Sequence, residues 1–378
     1  MTMTINNEHK KLNVPNLRFK EFQGEWEKCK LSEICTFFSG GTPSSSNKDF
    51  YGGNIAFIRS GELHADSTEL FITQAGFDSS SAKMVEVGDL LLAMYGATSG
   101  DIAVSKIKGA INQAILCIRT KQNKKFIESV WNKHVSKNLR KYLQGGQGNL
   151  SADIVKGISF FFPTLKEQEK IANLVSLLDE RIATQNKIIE DLKKLKYAIS
   201  HILFSSKFTN HLSYIANVVM GQSPSSNAYN DQGIGMPLVQ GNLDISNGKT
   251  TPRLYTSEFN QTAEEGNIIL TVRAPVGEVA KATKNVCLGR GVCAIIPHEE
   301  NMSDFIYQYL TFYKFMWRKY EQGSTFTSIN GSDVRNILCP EVRNVSILTL
   351  LDSKISTEER VVKLYQKQKQ YLLRQMFI

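Results

Sequence analysis

The sequence predicts an α+β protein: two structurally similar domains joined and separated by two long helices. Three observations predict it. Residues 164–204 contain no Pro or Gly and carry apolar residues at helical spacing. Residues 347–377 repeat that pattern at a constant offset of 173. Ahead of each helix, short β-rich runs and Gly-containing turns recur in one order, starting at an offset of 181. The boundaries that follow are a polar, poorly ordered start over residues 1–13, a first domain over 14–163, a helix over 164–205, a second domain over 206–343 and a second helix over 344–378.

Directly after Pro163, Thr164 and Glu167 make a Thr-x-x-Glu capping box, which can satisfy N–H groups that lack partners inside the helix. Written in heptads, one seam holds Ile171, Leu178, Gln185, Leu192 and Ile199, and the other holds Leu174, Arg181, Ile188, Leu195 and Ile202. Val175, Ile182, Ile189 and Leu203 widen the stripe. Such a helix needs a partner. The second helix supplies one through Leu174/Ile347, Leu177/Leu350, Leu178/Leu351, Asp179/Asp352, Ile182/Ile355, Ile189/Val362, Ile199/Leu372 and Phe204/Phe377. The residues expected to pair are Leu174, Leu178, Ile182, Ile189, Leu192 and Ile199 on the first helix, and Leu351, Ile355, Val362 and Leu372 on the second. Gln185 and Arg181 either set the register or face water. One apolar stripe is ordinarily a core face, but its recurrence after each half argues for a paired rod. At about 1.5 Å per residue the first helix spans roughly 60 Å.

With 378 residues, 42% hydrophobic and 21% charged, the composition is that of a soluble protein with room for two domains, and fibrous and disordered classes are excluded. A formal net charge of +9 favours a polyanionic partner. Six cysteines include no C-x-x-C pair, so zinc and dithiol redox readings lack their spacing and the thiols should be free and mostly buried. No leader pattern and no eighteen-residue apolar run occurs, which predicts a cytoplasmic protein away from membranes.

The first domain opens with a strap carrying Leu17, Phe19 and Trp26, then reaches Leu31 and the loop Ser39-Gly40-Gly41-Thr42-Pro43-Ser44-Ser45-Ser46. Strands are predicted over 55–58, 90–94, 102–104, 114–118 and 158–162, and an amphipathic helix over 126–143. His134 on its inward face reads as a core histidine. Residues 144–150 read as a flexible polar loop. The second domain replays this order: Leu31/Leu212, Ser32/Ser213, Ile34/Ile215, Gly40/Gly221, Pro43/Pro224, Ser44/Ser225 and Ser45/Ser226 align without a gap. Ser60-Gly61-Glu62-Leu63 then meets Gln240-Gly241-Asn242-Leu243, Gly88 meets Gly266, Gly100 meets Gly277, and Phe126-Ile127 meets Phe305-Ile306. Scaffold positions repeat and the polar residues between them diverge, as expected when two copies of one scaffold recognise different things.

Chemistry is scarce. No Pro-Pro dipeptide occurs, so the Asn/Asp-Pro-Pro-aromatic motif of amino-methyltransferases is missing, and there is no G-x-G-x-x-G. Gly248-Lys249-Thr250 resembles the end of a phosphate loop, but Leu243 stands where the first Gly is required. The six histidines form no metal-binding spacing. A binding protein is the simplest inference.

Several motifs together carry a family resemblance. They are Pro15-x-Leu17-Arg18-Phe19 with Phe22-x-Gly24-Glu25-Trp26, the Gly-x-x-Pro loops at Gly40 and Gly221, Glu167-Gln168-x-x-Ile171-Ala172 after Pro163, Leu177-Leu178-Asp179, and the helix ends Leu203-Phe204 and Met376-Phe377. The chain resembles a specificity subunit of a type I restriction-modification system over nearly its whole length. The second helix departs from the pattern, lacking the Glu-Gln entry. The resemblance implies a non-catalytic reader of double-stranded DNA whose two target-recognition domains each read one half of a bipartite asymmetric site. It implies that two long antiparallel spacer helices set the gap, on the order of one DNA turn of ~34–36 Å. It further implies two modification subunits that use S-adenosylmethionine to methylate adenine and two restriction subunits that use ATP and Mg, so no cofactor is bound by this chain.

Candidate readers are polar residues in corresponding loops: Ser44, Ser45, Lys48, Arg59, Tyr95, Gln113, Gln147 and Asn149 in the first domain, and Ser225, Asn227, Gln240, Asn242, Arg273, Arg290, Thr325 and Thr327 in the second. Arg and Lys suit guanine, Gln and Asn suit adenine, and hydroxyls suit phosphates. A self-contained nuclease or methyltransferase, and a scaffold that binds no DNA, are the alternatives from other classes.

Overall fold

The computed structural model describes residues 13–142, 149–205, 208–314, 316–317 and 328–378. The expected flexible start and most of the 144–150 loop lie outside them. The chain is α+β and divides into two compact units, Met1–Thr184 with Val362–Ile378, and Gln185–Val361.

In the first unit β1 (Glu27–Lys30), α1 (Leu31–Ile34), β2 (Cys35–Ser39) and β3 (Tyr51–Ile58) lead to β4 (Phe71–Ile72), α2 (Gln74–Asp78) and β5 (Lys83–Val85). Then come β6 (Leu90–Ala93), β7 (Ile102–Val104), β8 (Gly109–Ile111), β9 (Ile115–Thr120), α3 (Lys124–Tyr142), α4 (Ala152–Gly157) and β10 (Ser159–Phe162). One sheet has the order β2-β9-β6-β7, a second β4-β3-β8-β5, and β1 pairs with β10. The first sheet is covered on both faces. Leu90, Leu92, Leu116 and Ile118 meet Phe126, Ile127, Trp131 and Ile171 on the helical side, whereas Leu91, Ala93, Ile115 and Cys117 meet Ile58, Val85 and Ile111 of the second sheet. That double burial is why 90–93 is an unbroken apolar run instead of an alternating one. Each such Leu or Ile contributes about 1.5–3 kcal/mol of transfer free energy.

The second unit repeats the plan. After α5 (Leu165–Phe204) come β11 (Phe208–His211), β12 (Ala216–Met220), β13 (Tyr229–Asn230), β14 (Met236–Val239), β15 (Ile245–Ser246), β16 (Lys249–Thr250), β17 (Leu254–Thr256) and β18 (Thr262–Ala263). They are followed by β19 (Ile268–Thr271), β20 (Val279–Lys281), β21 (Val286–Leu288), β22 (Val292–Pro297), α6 (Ser303–Tyr313), α7 (Gly331–Arg335), β23 (Leu338–Pro340) and α8 (Ser346–Met376). The sheet β12-β22-β19-β20 corresponds to β2-β9-β6-β7 and is extended by β16 and β15; β14-β21-β18 corresponds to β3-β8-β5; β11 pairs with β23 as β1 does with β10. The parallel pairing of β3 with β8 recurs between β14 and β21. The turns at Gly88 and Gly266 are both left-handed, at φ 92° and 85°. Each is closed by a residue one position on, Asp89 accepting from Glu86 N at 3.0 Å and Asn267 from Glu264 N at 3.3 Å.

The structure corrects one register. Asn112 N donates to Ile58 O as Gly289 N donates to Val239 O, so Ile58 corresponds to Val239 and Arg59 to Gln240. The acid that accepts from that residue's N–H is then Glu62 in one unit and Asp244 in the other, three and four positions on. A single inserted residue lies inside this turn, which a side-by-side reading of 60–63 with 240–243 cannot place.

Each long helix ends in a core. Phe377 lies 5.2 Å from Phe126 in the first unit, and Phe204 lies 5.9 Å from Phe305 in the second. The Leu-Leu-Asp aspartates are matched too. In the first unit Asp179 accepts from Lys369 of α8 and from Lys125 at 3.0 Å. In the second Asp352 accepts from Lys196 of α5 at 2.5 Å and from Gln308 at 2.7 Å. Lys196 and Lys369 differ by 173, as do the two aspartates. Gln185 bonds Glu358, its own counterpart at that offset, and the guanidinium of Arg181 lies 6.0 Å from the ring centre of Tyr365.

Two expectations about the long helices change. Of the second heptad seam only Leu174 is partly buried; Arg181, Ile188, Leu195 and Ile202 are exposed, and Val175, Ile182, Ile189 and Leu203 form the other buried edge beside Leu178, Leu192 and Ile199. The rejected row is the one interrupted by Arg181, whose guanidinium would cost too much to desolvate. On α8, Leu351 and Leu372 are partly buried, and Ile355 and Val362 are buried. The second change concerns Glu167. Instead of reaching back to Thr164 it receives Arg18 Nε and Nη2, both at 2.8 Å, and is 1% exposed. Gln168 Nε2 takes up Pro163 O at 2.9 Å. Helix α8, which lacks this pair, starts with Asn344 Oδ1 accepting from Ser346 N at 2.8 Å.

Candidate nucleic-acid interface

In each unit four turns are brought together by main-chain bonds, three of which match one for one, while the bonds made by Gly41 N and Gly221 N fall at different positions. In the first, Gly41 N bonds Ile111 O at 3.2 Å, Asn112 N bonds Ile58 O at 3.4 Å, Met94 N bonds Ala114 O at 2.8 Å and Leu150 N bonds Met94 O at 2.8 Å. In the second, Gly221 N bonds Val292 O at 3.0 Å, Gly289 N bonds Val239 O at 2.8 Å, Val272 N bonds Gly291 O at 2.9 Å and Ile329 N bonds Val272 O at 2.9 Å. Glycine is required where the loop crosses the turn: a Cβ on Gly40 would lie 1.8 Å from Ile111 O, and one on Gly221 2.1 Å from Gly289 O. A tyrosine hydroxyl clasps each loop, Tyr51 to Pro43 O at 2.7 Å and Tyr229 to Pro224 O at 3.1 Å.

This wiring gathers Arg59, Tyr95, Gln113 and Asn149 around the 40–46 loop in the first unit. Ser44, Ser45 and Lys48 are exposed on that loop and beside it. Arg59 is tied to Glu62, with Nη2 at 2.8 Å, so part of its fork is already used. The same pairing, led by the hydrogen bond from Arg59, holds the Glu62 carboxyl below the usual range. Gln113 accepts from Thr42. Tyr95 is exposed and Asn149 half-buried.

In the second unit the corresponding positions are Gln240, Arg273 and Arg290. With Ser223, Asn242 and Arg253 they line a cavity of about 390 Å³. Asp244, buried at its floor, accepts from Gln240 N at 2.9 Å and Arg253 Nε at 3.0 Å. Ser225 and Asn227 are exposed on the neighbouring loop and are not among the cavity's lining residues. Gln147, Thr325 and Thr327 lie outside the described residues. Sequence reasoning missed Ser223, Asp244 and Arg253. Asp244 was traceable through its match to Glu62, but Arg253 lies between β16 and β17, in a stretch without a first-half counterpart, and so carried no repeat signal.

Other chemistry finds little support. Burial pushes the thiols of Cys117, Cys293 and Cys339 up to about 12, so they are poor nucleophiles. His134 is half-buried, 5.3 Å from the Phe160 ring centre, and burial, then Lys133, lowers its pKa. Among the described residues no group of three or more His, Cys, Asp and Glu is placed to hold a metal, and no helix is long and apolar enough to cross a membrane.

Comparison with known proteins supplies the family. Residues 23–194 and 209–361 match the family model described as the type I restriction modification DNA specificity domain. A putative type I restriction enzyme MjaX specificity subunit from Methanocaldococcus jannaschii is 28% identical over 374 residues, covering 88% of this chain and 86% of that protein. A crystal structure of the S subunit of a type I restriction-modification system from M. genitalium matches with a TM-score of 0.66 at 18% identity, over 97% of this chain and 99% of that one. A chain from a structural study of type I R-M complex assembly matches at 0.58 and 21% identity, over 92% and 96%. Both likenesses concern the fold. The chain belongs to the type I restriction-modification DNA specificity family: it is a non-catalytic subunit that contributes DNA sequence recognition to a restriction-modification complex.

Proposed function

We propose that the two units read different halves of one bipartite, asymmetric site in double-stranded DNA, with the antiparallel pairing of α5 and α8 as the spacer that sets the gap between the halves. The observation that carries this reading is that three equivalent main-chain bonds join the turns of each unit while their tips differ, Arg59, Tyr95 and Gln113 against Gln240, Arg273 and Arg290. A shared frame with different hydrogen-bonding groups is what two readers of different base sequences need. The domain limits we assign are 14–163 and 206–343, with spacer helices over 164–205 and 344–378. Residues Leu178, Ile182, Ile189, Leu192 and Ile199 pack toward Leu351, Ile355, Val362 and Leu372 in this arrangement.

Two modification and two restriction subunits complete the complex and carry S-adenosylmethionine, ATP and Mg²⁺, and the assembly works in the cytoplasm. The exposed row Ile188, Leu195 and Ile202 supports a partner contact, since such a strip on a helix is costly to leave in water. The test is single-molecule methylome sequencing of a host with and without this chain. One two-part motif with a fixed internal gap and adenine methylation should disappear with it. A continuous or palindromic motif, or an unchanged methylome, would sink the proposal.

A further inference from the structure

We propose that the half-site read by the second unit contains guanine, recognised by the forked guanidinium groups of Arg290 and Arg273. This deepens the two-reader proposal and rests on it. Three guanidinium groups line the cavity with Gln240 and Asn242, and the one carboxylate there, Asp244, is engaged by Arg253. Among the described residues Arg273 and Arg290 have no acidic partner. They stand on neighbouring turns joined by Val272 N to Gly291 O, so two like charges share one rim and their donors await an external acceptor.

The turns fix the main chain from which these two exposed side chains project. A Cβ on Gly291 would lie 2.0 Å from Gln240 O, and one on Gly289 3.0 Å from Gln240 Cγ, so the turn packs on its neighbour and Arg290 is the side chain it presents. Ser223 Oγ accepts from Arg290 N at 3.0 Å. The Arg273 turn is clasped by Thr271, whose Oγ1 donates to Pro275 O at 2.7 Å and accepts from Glu278 N at 2.9 Å. A guanidinium fork matches the O6 and N7 acceptors of guanine in the major groove. The amides of Gln240 and Asn242 beside it are groups suited to base edges. In the first unit the equivalent positions are Tyr95 and Gln113, neither of which offers a fork, and Arg59 is held by Glu62.

The test uses the complex of this chain with its modification subunits and a library of duplexes randomised in each half-site, scored for methylation. The unmodified chain should require guanine in one half. Arg290→Lys and Arg273→Lys keep the charge and lose the fork; each should reduce discrimination at one guanine of that half by about tenfold to a hundredfold and leave the other half unchanged. A motif lacking guanine in the half altered by the Arg variants would overturn the assignment. So would lysine variants that keep full discrimination, or alanine variants that weaken all sequences equally with a salt slope smaller by about one, the mark of a phosphate contact. Failure to methylate any defined motif would overturn the two-reader proposal itself, and this inference with it.

Discussion

At equivalent turns the first unit places Asn112-Gln113-Ala114 and the second Gly289-Arg290-Gly291, and both close against the strand before them through the same main-chain bond, to Ile58 O and Val239 O. The difference between these two turns lies in what their tips carry. Positions where two backbones cross closely, Gly40 and Gly221 above all, are fixed by sterics. Positions whose side chains point away from every crossing are free to diverge without disturbing the core.

The largest expected effect breaks both clusters equally. Gly40→Val and Gly221→Val each drive a side chain into a carbonyl that belongs to a paired turn and cannot retreat, which should cost about 3 kcal/mol or more. Calorimetry should show the loss in the unit that bears the change. A valine variant as stable as the parent would mean the close crossing is not required. Truncation of the helix ends is of similar size. Phe377→Ala and Phe204→Ala should each cost about 3–5 kcal/mol, because each ring is almost fully buried against an aromatic cluster. Hydrogen exchange around Phe126 should rise with the first and around Phe305 with the second.

The paired aspartates are matched by position but differ in company, which predicts a smaller and unequal effect. Burial pushes the Asp179 carboxyl up, but Lys369 and Lys125 more than offset it, leaving its pKa below the ordinary aspartate value. A carboxylate lowered on folding contributes stability that is fully present above its unfolded pKa, near 4, and is lost as pH falls through the folded value. Asp179→Asn should therefore cost about 1–2 kcal/mol at neutral pH, discounted because the side chain is 32% exposed, and the variant should lose less stability than the parent below about pH 4. It also leaves two lysines facing each other. Asp352→Asn can still accept from Gln308 and should cost under about 1 kcal/mol. Equal losses from the two changes would contradict this reading of their surroundings.

Much of the frame was legible because packing constraints are written in residue types that recur. Gly40/Gly221, Phe126/Phe305 and Asp179/Asp352 occupy equivalent positions, and the apolar run at 90–93 follows from a sheet covered on both faces. Three features were not legible, each for a physical reason. Two apolar rows flank the first heptad seam, and only three-dimensional packing decides that the row broken by Arg181 stays exposed. The carboxylate of Glu167 has two chemically equivalent uses, capping its own helix or receiving an arginine 149 positions earlier, and local sequence cannot rank them. The cavity floor joins Asp244 to Arg253 and the rim joins Ser223 to Arg290, contacts between residues of no shared spacing.

The smallest change in stability should come from the exchange that sharpens the comparison most. Placing guanidinium groups on the first frame with Tyr95→Arg and Gln113→Arg alters two side chains that are exposed, one 40% by area, and leaves the crossing bonds of the main chain intact. The folding cost should stay within about 0.5 kcal/mol per site. If the turns are frames and their tips are readers, the double variant should shift base preference in the first half-site toward guanine while the second half and the gap stay as they were. Thr42 complicates the exchange, because it donates to Gln113 and loses that acceptor; Thr42→Val in the same background removes the orphaned hydroxyl and separates a defect in loop anchoring from a defect in reading. Unchanged preference in a stably folded triple variant would place recognition outside these turns.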